Sequence, residues 1–95
     1  MKFRNQEIAQ RFVAGATEGE SHTGAFSIHD NKLFSYGTLL AVRRDNGVEL
    51  NVTKYSSTTS KQQRYLYDAI DARNIKILKV YQNVPMWTTR FKEDA

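Results

Sequence analysis

The stretch Lys54-Tyr-Ser-Ser-Thr-Thr-Ser-Lys-Gln-Gln-Arg64 concentrates more usable chemistry than any other part of this 95-residue chain. Three cations, Lys54, Lys61 and Arg64, surround an unbroken run of hydroxyl residues from Ser56 to Ser60. Ser60 followed three residues later by Gln63 has the spacing of a capping box, which predicts a helix from Lys61 to about Arg73. A helix start presents unpaired N–H groups and a partial positive charge. The hydroxyls of Thr58, Thr59 and Ser60 add donors there, and Lys61 and Arg64 add full charges, so the segment suits a phosphate or another anion. Lys61 in a first turn opposes the helix dipole by roughly a few tenths of a kcal/mol, and a bound anion reverses that sign. The competing account is local: capping explains Ser60 and Gln63, the other hydroxyls close turns, and the cations are solvated.

Charge distribution points to the same region. The net charge is +4, and residues 32 to 64 hold six Lys or Arg against two Asp or Glu. Arg43 and Arg44 end an expected strand and, with Lys54 and with Tyr55 as a stacking surface, extend a basic and aromatic stripe of the kind used to contact nucleic acid. Pairing of Arg43 with Glu49 across a hairpin, and shielding of a sheet edge by Arg44, are the plain alternatives.

Other chemistry is thin. The chain has no cysteine, which removes disulfides, thiolate catalysis and thiolate metal sites. His22 and His29 invite a metal-independent nuclease, but neither has a carboxylate spaced to orient its ring, and His29-Asp30 is too little for a metal. No catalytic, cofactor or metal residues are assigned. The loop Gly15 to Gly24 lacks the Gly-Lys-Ser/Thr ending of a phosphate loop, and Glu18 and Glu20 would repel phosphate. Asn51-Val-Thr53 matches a glycosylation sequon by chance. No apolar run reaches the roughly 20 residues of a membrane span, and the first residues lack a signal peptide's apolar stretch. Cytoplasmic location, in a host cell if the chain is phage-encoded, is the expectation.

The elements that must position these residues follow from periodicity. Asn5 is placed to cap a helix whose stripe is Ile8, Ala9, Phe12, Val13 and Ala16, ending near Gly15. Residues 15–24 read as loop. Phe26 to Tyr36 reads as a hairpin about a three-residue Asp30-Asn31-Lys32 turn, pairing Ile28 with Phe34 and Phe26 with Tyr36. Thr38 to Arg44 and Val48 to Thr53 read as a second hairpin with a three-residue loop, pairing Val42 with Leu50, Leu40 with Val52 and Arg43 with Glu49. After the second helix, with Leu66, Ala69 and Ile70 on its stripe, Ile75 to Tyr81 reads as a fifth strand. The expected fold is one α+β domain: an antiparallel sheet of four to five strands, two consecutive hairpins plus a C-terminal strand, packed with two helices. Val84 to Trp87 and Phe91 form an apolar tail that either closes the core or contacts a partner.

Taken together, Phe12-Val-Ala-Gly-Ala-Thr17, Phe34-Ser-Tyr-Gly37 and Lys54 to Gln63 resemble a family of small uncharacterised proteins of bacteriophages and other mobile elements, over about residues 5 to 64. In that family the last motif reads Tyr-Ser-x-Thr-Thr-Ser-Lys-His-Gln, and this chain carries Gln62 at the histidine position. The resemblance implies a phage accessory setting, anti-defence and including CRISPR inhibition; the charge of residues 32 to 64 and the hydroxyl-rich helix start give the expectation of a non-enzymatic protein whose partner is nucleic acid or a host nucleoprotein complex. A sponge for a small phosphorylated ligand such as a signalling nucleotide, with Tyr55, Tyr65 and Tyr67 as stacking surfaces, is the second expectation.

Overall fold

A computed structural model describes residues 2–91. Its strands are β1 (Lys2–Phe3), β2 (Glu18–Ser21), β3 (Phe26–His29), β4 (Lys32–Ser35), β5 (Thr38–Arg44), β6 (Gly47–Asn51) and β7 (Ile77–Tyr81). Helix α1 (Asn5–Val13) lies between β1 and β2, and α2 (Ser57–Ala72) between β6 and β7. The strands form one sheet in sequence order, antiparallel through its middle, with parallel pairs β1·β2 and β6·β7 at its two ends. The expected four to five antiparallel strands are therefore corrected to a seven-stranded mixed sheet. Two strands escaped the periodicity because β1 is two residues long and β2, Glu-Gly-Glu-Ser, has no apolar alternation.

Both helices cover one face and pack on each other. Ile8, Ala9, Phe12 and Val13 of α1 and Leu66, Ala69 and Ile70 of α2 meet Phe26, Ile28, Leu33, Leu40, Val48 and Leu50 of the sheet. On the other face the segment 82–91 doubles back, so that Phe91 packs with Leu39 and Val42 and stacks on Tyr81 at 4.3 Å between ring centroids. This second cover, with a register shift between Leu33 and Phe34, explains why five consecutive residues of β5, Thr38 to Val42, are buried. Burial of apolar side chains on both faces supplies most of the driving force for a chain this small.

Both hairpin registers differ from expectation. Each turn has two residues: His29 pairs with Lys32 around Asp30-Asn31, and Arg44 pairs with Gly47 around Asp45-Asn46. Ile28 thus faces Leu33, Val42 faces Glu49 and Arg43 faces Val48. Asp30 has a φ of 56°, the positive φ that the favoured two-residue hairpin turns use at their first central position and that Asp tolerates. The expected registers assumed that only one sheet face needed apolar residues. With Val42 buried on the tail face and Arg43 serving the helix face, apolar–polar pairing carries no penalty. At Gly47 a Cβ would lie 2.3 Å from the carbonyl oxygen of Lys76, so only glycine lets the chain entering β7 run this close.

Helix starts also shift. Arg4, not Asn5, precedes α1, and its N–H donates to Glu7 Oε1 at 3.3 Å. Ser56, not Ser60, caps α2, its hydroxyl oxygen accepting from the Thr59 N–H at 3.2 Å. No described helix is long and apolar enough to cross a membrane.

Candidate functional site

Two parallel crossovers impose a polarity on the molecule. Because β1 and β6 each feed a helix, both helix starts lie at the same end of the sheet. Antiparallel pairing brings to that end the loop 22–24 after β2, the Tyr36-Gly37 turn between β4 and β5, the segment 52–56 after β6, and the segment 82–88 after β7. These loops contain Lys54 and no Asp or Glu. The same end also holds Glu7 in the first turn of α1 and Glu20 of β2, which pairs with Lys2 at 2.7 Å. That ammonium holds the Glu20 carboxyl below its ordinary range. The opposite end carries the turns with Asp30 and Asp45.

The hydroxyl-rich motif divides into structural and exposed halves. Tyr55 donates its hydroxyl to the Val84 carbonyl oxygen and accepts from Asn51 Nδ2 at 3.0 Å, tying the segment before α2 to the tail. Ser56 is spent on the cap, and Thr59 is buried. Gln62 is fully buried, accepting from the Ser35 hydroxyl, and Gln63 Nε2 donates to the carbonyls of Asn51 and Thr53 at 2.9 and 3.0 Å. Ser57, Thr58, Ser60, Lys61 and Arg64 remain exposed on α2, as does Lys54 before it. Among the described residues Lys54, Lys61 and Arg64 form no ion pair, and the first turn of α2 contains no acid. With Ser56 as cap, Lys61 stands beyond the first turn, and the dipole penalty assigned to it disappears.

Arg43 and Arg44 leave the basic stripe. Neighbours on a strand point to opposite faces. Arg43 turns to the helix face, where its Nη1 donates to the carbonyls of Phe12 and Ala16 at 2.6 and 3.0 Å and its guanidinium lies 5.1 Å from the Phe12 ring centroid. It thus adds a donor to the Phe12 carbonyl, which the Gly15 N–H also reaches at 3.1 Å, and ties the chain leaving α1 to β5. Arg44 turns to the other face and pairs with Glu49, Nε to Oε2 at 3.1 Å. Of the other candidates, Tyr65 is half-buried against the core, and Tyr67 lines a shallow cleft with Asp68 and Asp71 that repels phosphate. Partial burial pushes the Tyr67 phenol above its ordinary value.

The histidines do not converge. His22 follows β2 at the helix-start end, whereas His29 closes β3 at the other end and meets Phe34 edge-on at 5.9 Å. Among the described residues no group of three or more His, Asp or Glu could hold a metal.

Sequence reasoning left Trp87 in an apolar tail with two possible roles and set Tyr36 opposite Phe26 in the core; the structure exposes both rings at this pole, and Phe91 alone of that tail enters the core. Trp87 is 66% exposed and Tyr36 53%, with Met86 beside Trp87 at 58%. Trp87 and Tyr36 both sit at positive φ, 66° and 50°, a conformation that bulky residues adopt only when their surroundings impose it. The Trp87 N–H donates to Thr38 Oγ1 at 3.0 Å, the Thr88 carbonyl accepts from Leu39 N at 2.7 Å, and the indole lies over Gly37. The sequence shows the apolar run Val84 to Trp87 but not that Gly37, fifty residues earlier, provides the seat for its indole. The class defined by this arrangement is a small mixed α+β domain with one cationic and aromatic pole. No protein-family model, curated protein or solved structure matches the chain.

Proposed function

We propose that this chain is a non-enzymatic binding protein that engages nucleic acid, or a host complex presenting nucleic acid, at the helix-start pole. One observation carries the reading: Lys54, Lys61 and the exposed rings of Trp87 and Tyr36 belong to the same end of the sheet, whose loops 22–24, 36–37, 52–56 and 82–88 hold no Asp or Glu. Cations attract phosphates from a distance, and aromatic faces hold what arrives. The resemblance of residues 5–64 to small phage proteins gives this binding an anti-defence setting, CRISPR inhibition included, and that setting rests on the motifs alone.

The test is a titration of labelled single- and double-stranded DNA and RNA at low salt, with the native chain and with a Lys54→Glu, Lys61→Glu variant of matched melting temperature. Binding that weakens with salt and is lost in the variant is the expected result. Absence of binding by every polynucleotide overturns the reading. If, in addition, a free nucleotide raises the melting temperature, the partner is instead a small phosphorylated ligand.

A further inference from the structure

The proposed nucleic-acid reading leaves open which form of nucleic acid the pole takes, and the setting of Trp87 addresses this. Its indole is fixed on one side and free on the other. A Cβ placed on Gly37 would come within 2.9 Å of Trp87 Cε3 and 3.0 Å of Cζ3, so the ring rests directly on backbone where any other residue would lift it. Gly37 itself has a φ of 85°, so glycine is required there for conformation as well as for space. The backbone on both sides of the indole is held by hydrogen bonds to Thr38 and Leu39 of the central strand β5. An exposed side chain held only by chance would need neither the left-handed backbone nor the glycine seat.

From this geometry we infer that Trp87 is a stacking platform for an unpaired base, with Tyr36, adjacent in sequence to Gly37, as a second aromatic face, and that the ligand is single-stranded nucleic acid. The inference rests on the nucleic-acid reading above. It follows from a contrast in the charges. Duplex binding without base contacts depends on many Lys and Arg tracking two backbones, and here Arg43 is spent on the end of α1 and Arg44 on Glu49. Lys54, Lys61 and Arg64, with the exposed Arg4 before α1, are few for that task, whereas a few cations at the same end of a domain as a rigid aromatic face suit a single strand.

Trp87 is the sole tryptophan, so its emission reports on the proposed contact without a label. Twelve-residue oligothymidylate is titrated against an abasic strand of equal charge and a duplex of equal length. Expected are quenching and tighter binding by oligothymidylate alone, a loss of about 5- to 150-fold in affinity for Trp87→Ala, and near-native affinity for Trp87→Phe. The Phe variant and a melting curve separate lost stacking from lost folding. Equal binding of the abasic strand or the duplex, without quenching, overturns the stacking inference and leaves the nucleic-acid reading standing. Binding of none of the three overturns both. A sedimenting dimer whose free-state emission is already blue-shifted also overturns the inference, since the indole would then be buried by a second copy.

Discussion

Ser35 donates its hydroxyl to Gln62 Oε1 inside the core, while the Nε2 end of the same amide has no hydrogen-bond partner among the described residues. A buried donor without an acceptor costs about 1–3 kcal/mol, and removing both members of a buried polar pair is near neutral or stabilising. Ser35→Ala should therefore destabilise by about 1–3 kcal/mol in urea denaturation, because it strips the remaining contact from a fully buried amide. The double variant Ser35→Ala, Gln62→Leu should return to native stability or exceed it. A neutral Ser35→Ala would show that the amide is satisfied in another way. Gly47 gives an independent test of register. Gly47→Ala places a methyl group 2.3 Å from the Lys76 carbonyl oxygen and should cost about 2 kcal/mol or more, whereas Gly15→Ala meets nothing within 4 Å and bears only the strain of its positive φ.

The element ends are held by single side chains that the sequence could present in more than one role. Arg43 supplies donors to the carbonyl end of α1, so Arg43→Met should lower stability by about 1–2 kcal/mol, while Arg44→Gln, which loses one partly exposed ion pair with Glu49, should change it by less than about 1 kcal/mol. Capping gives a second contrast. Ser56→Ala should cost about 1 kcal/mol and Ser60→Ala almost nothing, since only Ser56 accepts from an orphan N–H of α2. These pairs show where legibility stopped. The stripes of α1 and α2 were plain from Ile8 to Val13 and from Leu66 to Ile70, because an apolar face at helical spacing has one reading. The cap of α2 was not, because Ser56, Ser57, Thr58, Thr59 and Ser60 are all competent caps, and the capping-box spacing singled out the wrong one. The role of Arg43 was hidden for a different reason: nothing local announces that the end of a helix thirty residues earlier packs beside a strand.

At the scale of the whole molecule, the two parallel crossovers are what gather the site. They bring α2's hydroxyl-rich start to the same end of the sheet as the tail with Trp87 and the turn with Tyr36, although these lie far apart in sequence. Mid-chain charge surplus was legible as a number, but its distribution was not, since alternation along β5 sends Arg43 and Arg44 to opposite faces, while Lys54, Lys61 and Arg64 stay exposed before and along the first half of α2. This division has a measurable consequence. Each phosphate neutralised on a single strand contributes about −0.7 to the slope of log K against log salt, so three cations give a slope near about −2. Lys54→Gln, Lys61→Gln and Arg64→Gln should each make the slope shallower by about 0.7, whereas Arg44→Gln should leave it unchanged. Oligonucleotide titrations at four or five salt concentrations measure these slopes directly. A slope that responds to Arg44 and ignores the three cations of the pole would move the binding surface to the opposite end of the sheet and remove the pole from the mechanism.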